Sequence, residues 1–186
     1  HYVRKSPGYP LLVLVRLLVG TSILVFFASR LIPLAKPAGG TRPIAVGETF
    51  YRLLMRTTLA ILGPNNQLGL LPTQFGVGSP GGTEPIIRTI EHVHDGTIDA
   101  VQITSLDFSN AYNSLHRAAI SRAMRTHYPS LYRLAKWAYS EPAALILSGP
   151  LQSADGPRAV IELESAEGVR QGDPLAPLLF SVGVRA

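Results

Sequence analysis

Apolar and polar positions along the 186 residues fall into runs and periodic stretches that mark out separate elements. The most hydrophobic stretch is Leu11 to Ala28, LLVLVRLLVGTSILVFFA, which has the character of a helix. From Arg30 to Val46, RLIPLAKPAGGTRPIAV holds two short apolar runs joined by Pro37, Ala38, Gly39 and Gly40. That pattern predicts a strand, a tight turn and a returning strand, with Lys36 and Arg42 flanking the tip. Between Glu48 and Leu62 the apolar residues Phe50, Leu53, Leu54, Ile61 and Leu62 recur at helical spacing while Arg52 and Arg56 fall elsewhere. An amphipathic helix follows, stopped by Gly63 and Pro64.

Asn65 to Gly82 is rich in Gly, Pro and Asn and reads as an extended loop. Thr83 then caps a short helix through Ile86, Ile87, Ile90 and Val93, ended by Asp95 and Gly96. Ala100 to Phe108, AVQITSLDF, has the β-branched residues and partial alternation of a strand, with Asp107 near its end. Ser109 or Asn110 caps the next predicted helix, in which Ala111, Leu115, Ala119 and Ala123 stack four apart. Tyr128 and Pro129 break it, and Leu131 to Tyr139 gives another short helix carrying Trp137. Ala143 to Leu147 and Val160 to Leu163 read as strands around a turn of Gly149, Pro150, Asp155, Gly156 and Pro157. Asp173 before Pro174 starts the last helix, LAPLLFSV, so the chain as a whole is α+β.

Composition changes this picture in two ways. Hydrophobic residues make up 46% and charged ones 16%, which excludes a disordered chain and leaves the surface short of charge for an independent soluble protein. Seventeen Lys and Arg against 12 Asp and Glu give a formal charge of +5, which favours polyanionic partners. With no cysteine there is no disulfide, no thiolate nucleophile and no Cys-bearing zinc site, so a reducing intracellular compartment, nucleus or cytoplasm, is expected. His92 and His94 lie two apart on a helix and point to different faces. The Leu11–Ala28 run approaches the roughly 20 residues of a bilayer span. Against a membrane helix stand Arg16 within the run, at about 2.5–3.5 kcal/mol for insertion, and the interruption at Gly20, Thr21 and Ser22. The alternatives are a buried helix and translated non-coding or chimeric sequence; no clear cleavage pattern favours a signal peptide.

Candidate chemistry centres on Asp107. A carboxylate at a strand end can hold a divalent cation if other carboxylates converge on it, and it can equally be a cap or turn residue. GVGSPGG lacks the Lys-Ser or Lys-Thr ending of a phosphate loop and reads as a connection. Lys36 and Arg42 fit a solvated hairpin tip as well as a phosphate clamp.

Taken in order, KPAGGTRPI, PTQFGVG, LDFSNAYNSLHR and GVRQGDPLAPLLF resemble the successive blocks of reverse transcriptases from non-LTR retrotransposons and their group II intron relatives. The resemblance runs from about Arg30 to Val184, and its most specific part is GVRQGDPLAPLLF with an upstream Asp-x-x-x-Ala-Tyr. It implies a partial right-hand polymerase fold: a hydrophobic N-terminal helix of uncertain origin over 1–29, fingers over 30–98 and an incomplete palm over 99–186, with an antiparallel sheet backed by helices. It implies an RNA-directed DNA polymerase that works on an RNA template, a DNA primer and deoxynucleoside triphosphates. In that family the aspartate matching Asp107 binds both catalytic magnesium ions and the carbonyl matching Phe108 completes the second site. Tyr112 matches the aromatic that lies under the incoming sugar and disfavours a 2′-hydroxyl, the other reading being a core tyrosine. Gln171 and Gly172 match the stretch along nucleotide and template, and Lys36 and Arg42 match basic residues that close on the triphosphate. Asp173 matches no metal ligand and reads as a cap or backbone-shaping residue.

The family's block with two adjacent aspartates is absent, as these 186 residues contain no Asp-Asp pair. With one palm carboxylate, a two-ion site has too few negative ligands. The isolated chain is therefore expected to be an incomplete piece that gives no magnesium-dependent primer extension, and extension by the chain alone would refute this. A non-catalytic nucleic-acid-binding remnant and a membrane-anchored protein are the competing classes. The open side of the sheet is expected to expose apolar surface.

Overall fold

The computed structural model describes residues 26–37, 39–62, 70, 73–99, 102–148 and 160–185. The predicted hairpin forms β1 (Ser29–Ala35) and β2 (Thr41–Gly47), paired antiparallel from Ser29 opposite Gly47 to Ala35 opposite Thr41. Its turn closes through Lys36 N–H to the Gly40 carbonyl and Gly39 N–H to the Lys36 carbonyl, both at 3.0 Å. Gly39 and Gly40 have φ of +88° and +85°, a pair of left-handed positions that only glycine adopts freely.

Helix α1 (Thr49–Leu62) starts where the Glu48 carboxylate accepts the Phe50 N–H at 2.6 Å and the Tyr51 N–H at 3.4 Å. Its inward stripe is Tyr51, Met55 and Thr58, flanked by half-buried Leu54 and Leu59. The sequence had pointed to Phe50, Leu53 and Ile61, but these are 66%, 60% and 63% exposed. Both stripes repeat at helical spacing, and what decides between them is Tyr51, whose hydroxyl finds a charged partner in the core while its ring joins the aromatic cluster there. The side chain of Leu62 lies outside the described residues.

Helix α2 (Thr83–His94) forms as expected, ending at Asp95 and at Gly96 with φ of +70°. Thr83 is its first residue and not its cap. Gly82 takes that place, and a side chain there would meet the Phe75 backbone. No residue of α2 is buried; Ile86, Ile87 and Ile90 face outward, and Arg88 pairs with Glu84 and Glu91 on the surface, contacts worth little to stability.

Two predicted elements differ. The 102–108 stretch forms no regular element, is exposed and pairs with no strand among the described residues, leaving Ile103, Leu106 and Phe108 uncovered. Strand propensity reflects fit to a partnered, half-buried surface, and no described residue supplies that partner here. The single helix expected after Asn110 is two: α3 (Ala111–Ser114) and α4 (Arg117–His127), broken at Leu115, whose backbone is extended. The His116 carbonyl then accepts the Ala119 and Ile120 N–H groups to start α4. The break puts Arg117 where its guanidinium donates to the carbonyls of Gly168, Tyr139, Glu141 and Ser165.

Helix α5 (Pro129–Tyr139) follows the predicted break, with proline at its start. Strands β3 (Ala143–Ser148) and β4 (Val160–Ser165) pair antiparallel, and α6 (Ala176–Arg185) ends the described chain. The turn expected at Gly149 to Pro157 lies outside the described residues. The four strands form one sheet in the order β2-β1-β3-β4. The expected all-antiparallel arrangement is thus corrected to a mixed sheet, because β1 and β3 run parallel at Ser29–Leu145 and Arg30–Ile146. That pairing joins two strands from each side of residue 98 in a single sheet. Met55, Met124, Val169, Leu175, Leu178 and Leu179 lie in the core; each such apolar side chain contributes about 1.5–3 kcal/mol by leaving water.

Most of the hydrophobic N-terminal run lies outside the described residues. Its end does not: Phe26 and Phe27 pack on Trp137 at ring separations of 5.6 and 4.7 Å, and Tyr51 completes the cluster. No helix among the described residues is long and apolar enough to cross a membrane.

Candidate functional site

A cavity of about 570 Å³ opens between the hairpin tip and the turn that follows the 102–108 stretch. Lys36, Thr41, Arg42 and Pro43 form one wall; Asp107 to Asn113 form the other, and Gln171 also lines it. Three stretches far apart in sequence thus meet at one cleft. Of the candidate residues, Lys36, Arg42, Asp107, Phe108, Tyr112 and Gln171 line it, and Gly172 does not. Asp107 and Phe108 are exposed, and among the described residues no ion pair engages Asp107, Lys36 or Arg42. Two cations and one carboxylate therefore share the cleft without neutralising one another by contact.

The wall carrying Asp107 turns at Asn110, the one non-glycine with positive φ among the described residues, at +52°. Asn110 stabilises the turn locally: its side-chain carbonyl accepts from the Asn113 amide at 2.8 Å and its backbone carbonyl from the Ser114 hydroxyl at 3.0 Å. Tyr112 lines the cleft while its ring lies 5.0 Å from that of Phe180 at the edge of the core.

The GVRQGDP stretch joins the two walls. Val169 N–H donates to the Tyr112 carbonyl at 2.7 Å, and the Gln171 carbonyl accepts the Ala45 N–H at 2.7 Å. Gly172 has φ of +108°, and a Cβ there would stand 2.8 Å from the Ala45 carbonyl oxygen. Glycine is required at this position by the approach of β2.

Asp173 does not line the cleft and is buried. Its Oδ1 accepts the Leu175 N–H at 2.9 Å, the cap-like role expected of it. Its Oδ2 accepts from Tyr51, Tyr139 and Arg170, a network that sequence reasoning missed. The available signal was an Arg and an Asp three apart, and their partners lie 34 and 122 residues from Asp173. Burial, followed by the charge of Asp173, raises the hydroxyl pKa values of Tyr51 and Tyr139, so both remain donors. Burial alone would lower that of Arg170, but Tyr139, Tyr51 and Asp173 outweigh it and the guanidinium stays charged. Burial lowers that of Arg117.

For a divalent cation the cleft offers the Asp107 carboxylate and backbone carbonyls such as that of Phe108. No group of three or more His, Cys, Asp or Glu able to hold a metal occurs among the described residues. By themselves these donors do not fit a resident two-ion site, which needs several carboxylate ligands.

No family model matches the chain. It is 29% identical over 161 residues to the retrotransposable element SLACS 132 kDa protein of Trypanosoma brucei gambiense, covering 86% of this chain and 13% of that protein. That relative is a protein of a retrotransposable element. Another is the retrovirus-related Pol polyprotein from type-2 retrotransposable element R2DM of Drosophila melanogaster, 29% identical over 155 residues, 80% of this chain and 14% of the relative. The chain thus spans about one seventh of the length of these retrotransposon relatives, and its likeness to them agrees with a reverse transcriptase-like segment.

Proposed function

We propose that the chain is the nucleotide-binding part of a retroelement RNA-directed DNA polymerase, and that its cleft receives the triphosphate and the primer end on an RNA template. The observation that carries this is the meeting at one cavity of Lys36 and Arg42 with Asp107, Tyr112 and Gln171. Lys36 and Arg42 meet phosphate charge. Tyr112 underlies the sugar and selects deoxynucleotides, and Gln171 lies along the paired bases. Asp107 and the Phe108 carbonyl would supply one share of an oxygen donor set for magnesium, short of the several carboxylates a two-ion site needs. The isolated chain then binds nucleic acid inside the cell without polymerising.

A salt titration tests the binding. With Lys36→Ala and Arg42→Ala together, affinity for a primed RNA template is expected to fall, and the slope of log affinity against log salt to shrink by about 2, roughly one per lost phosphate contact. Asp107→Ala is expected to leave affinity in magnesium-free buffer unchanged or slightly higher. An unchanged slope in the double variant would remove the hairpin from the binding surface.

A further inference from the structure

We propose that Arg170 and Asp173 are positioning residues: with Tyr51 and Tyr139 they form a buried lock that holds the Gln171 stretch against the hairpin and so sets the width of the cleft. Asp173 Oδ2 accepts three hydrogen bonds, from the Tyr51 hydroxyl at 2.5 Å, the Tyr139 hydroxyl at 2.6 Å and Arg170 Nη2 at 3.0 Å. With the Leu175 N–H at Oδ1, four hydrogen bonds hold this carboxylate. Arg170 in turn donates to the Phe27 carbonyl at 3.2 Å and to the Tyr51 oxygen at 3.1 Å, and lies 4.7 Å from the centre of the Tyr139 ring. The side chains of Arg170 and Asp173 are 3% and 2% exposed.

Geometry connects this lock to the cleft. Gln171 and Gly172 are the two residues between Arg170 and Asp173, so both ends of their backbone are anchored. From there the Gln171 carbonyl holds Ala45 of β2, and Val169 on the other side of Arg170 holds Tyr112. Tyr51 ties in α1, which follows the hairpin directly, and Tyr139 ties in the end of α5. A buried ion pair is a poor device for stability alone, since well-packed apolar residues serve as well or better. Its hydrogen bonds fix direction, and the direction fixed here is that of the segment spanning both cleft walls. This inference stands on the shape of the cleft and not on what the cleft binds.

The chain has no cysteine, so Thr41→Cys with Ser109→Cys places spin labels on the two walls and nowhere else. In that background Tyr51→Phe and Tyr139→Phe each remove one hydroxyl while keeping the ring. Each is expected to shift or broaden the label-to-label distance distribution of the folded chain beyond its width in the parent. Each is also expected to speed hydrogen exchange at the Ala45 and Val169 amides by roughly tenfold more than at Met124 or Leu179, because each hydroxyl both donates to Asp173 and accepts from Arg170. A purely stabilising role moves neither readout: the distances stay as in the parent and all amides lose protection alike, and that result would overturn the proposal. Should Tyr51→Phe fail to fold, Tyr139→Phe carries the same comparison. Neither readout involves nucleic acid, so failure of the polymerase assignment and failure of the lock are told apart.

Discussion

Asp173→Ala is expected to lower the stability of the chain by about 3–5 kcal/mol, because it leaves the Arg170 guanidinium buried without its counter-charge. Two buried tyrosine hydroxyls lose their acceptor in the same step. Against a total stability on the order of 5–15 kcal/mol, such a loss takes the chain close to unfolding. Asp107→Ala is the matched control. That carboxylate is exposed and in no ion pair among the described residues, so its removal is expected to change stability by no more than about 0.5 kcal/mol. Urea unfolding followed by far-ultraviolet circular dichroism measures both. Equal, small losses would mean that the buried network is not a determinant of the fold.

Gly168→Ala is expected to be almost as damaging. Gly168 has φ of +57°, and a Cβ there would lie 2.5 Å from the Asn113 carbonyl carbon and 2.6 Å from its Cα, where backbone on both sides prevents relief. Left-handed strain and overpacking together give a loss of about 2–6 kcal/mol. Gly96→Ala separates the two contributions: φ is +70° but nothing stands within 4 Å of the added Cβ, so strain alone applies, at about 1–2 kcal/mol. Thermal unfolding of both variants checks the difference, and equal midpoints would show that the contact with Asn113 relaxes. The pressed neighbour lies on the cleft wall, so Gly168→Ala is also expected to weaken nucleic-acid binding in whatever fraction folds.

Local signals in the sequence were enough for most elements. Gly39 and Gly40 mark the hairpin turn, Pro129 the start of α5, and Asp173 before Pro174 the approach to α6. The motif order also put Lys36, Arg42, Asp107, Tyr112 and Gln171 on one list, and these residues line one cavity. What local pattern does not carry is the choice between two surfaces that are equally periodic. On α1, apolarity favours Phe50, Leu53 and Ile61, yet Tyr51 turns inward because its hydroxyl meets Asp173, 122 residues away. The parallel pairing of β1 with β3 is likewise a tertiary fact, as no turn connects them. The 102–108 stretch shows the converse, a strand-like sequence that stays unpaired because no neighbour among the described residues supplies a ladder. Asn113 and Ser114 bond back to Asn110, and this local competition with the helix ladder accompanies a break that four-residue spacing alone does not reveal.

Photo-crosslinking tests most directly whether the cleft is where a nucleotide and a primer end are held. An azido-deoxynucleoside triphosphate, bound with a primed RNA template and mapped by mass spectrometry, is predicted to label the stretches around Lys36–Arg42, Asp107–Asn113 and Gln171, and to lose that labelling with Arg42→Ala. Labelling confined to the exposed faces of α2 or β4, unaffected by Arg42→Ala, would contradict it.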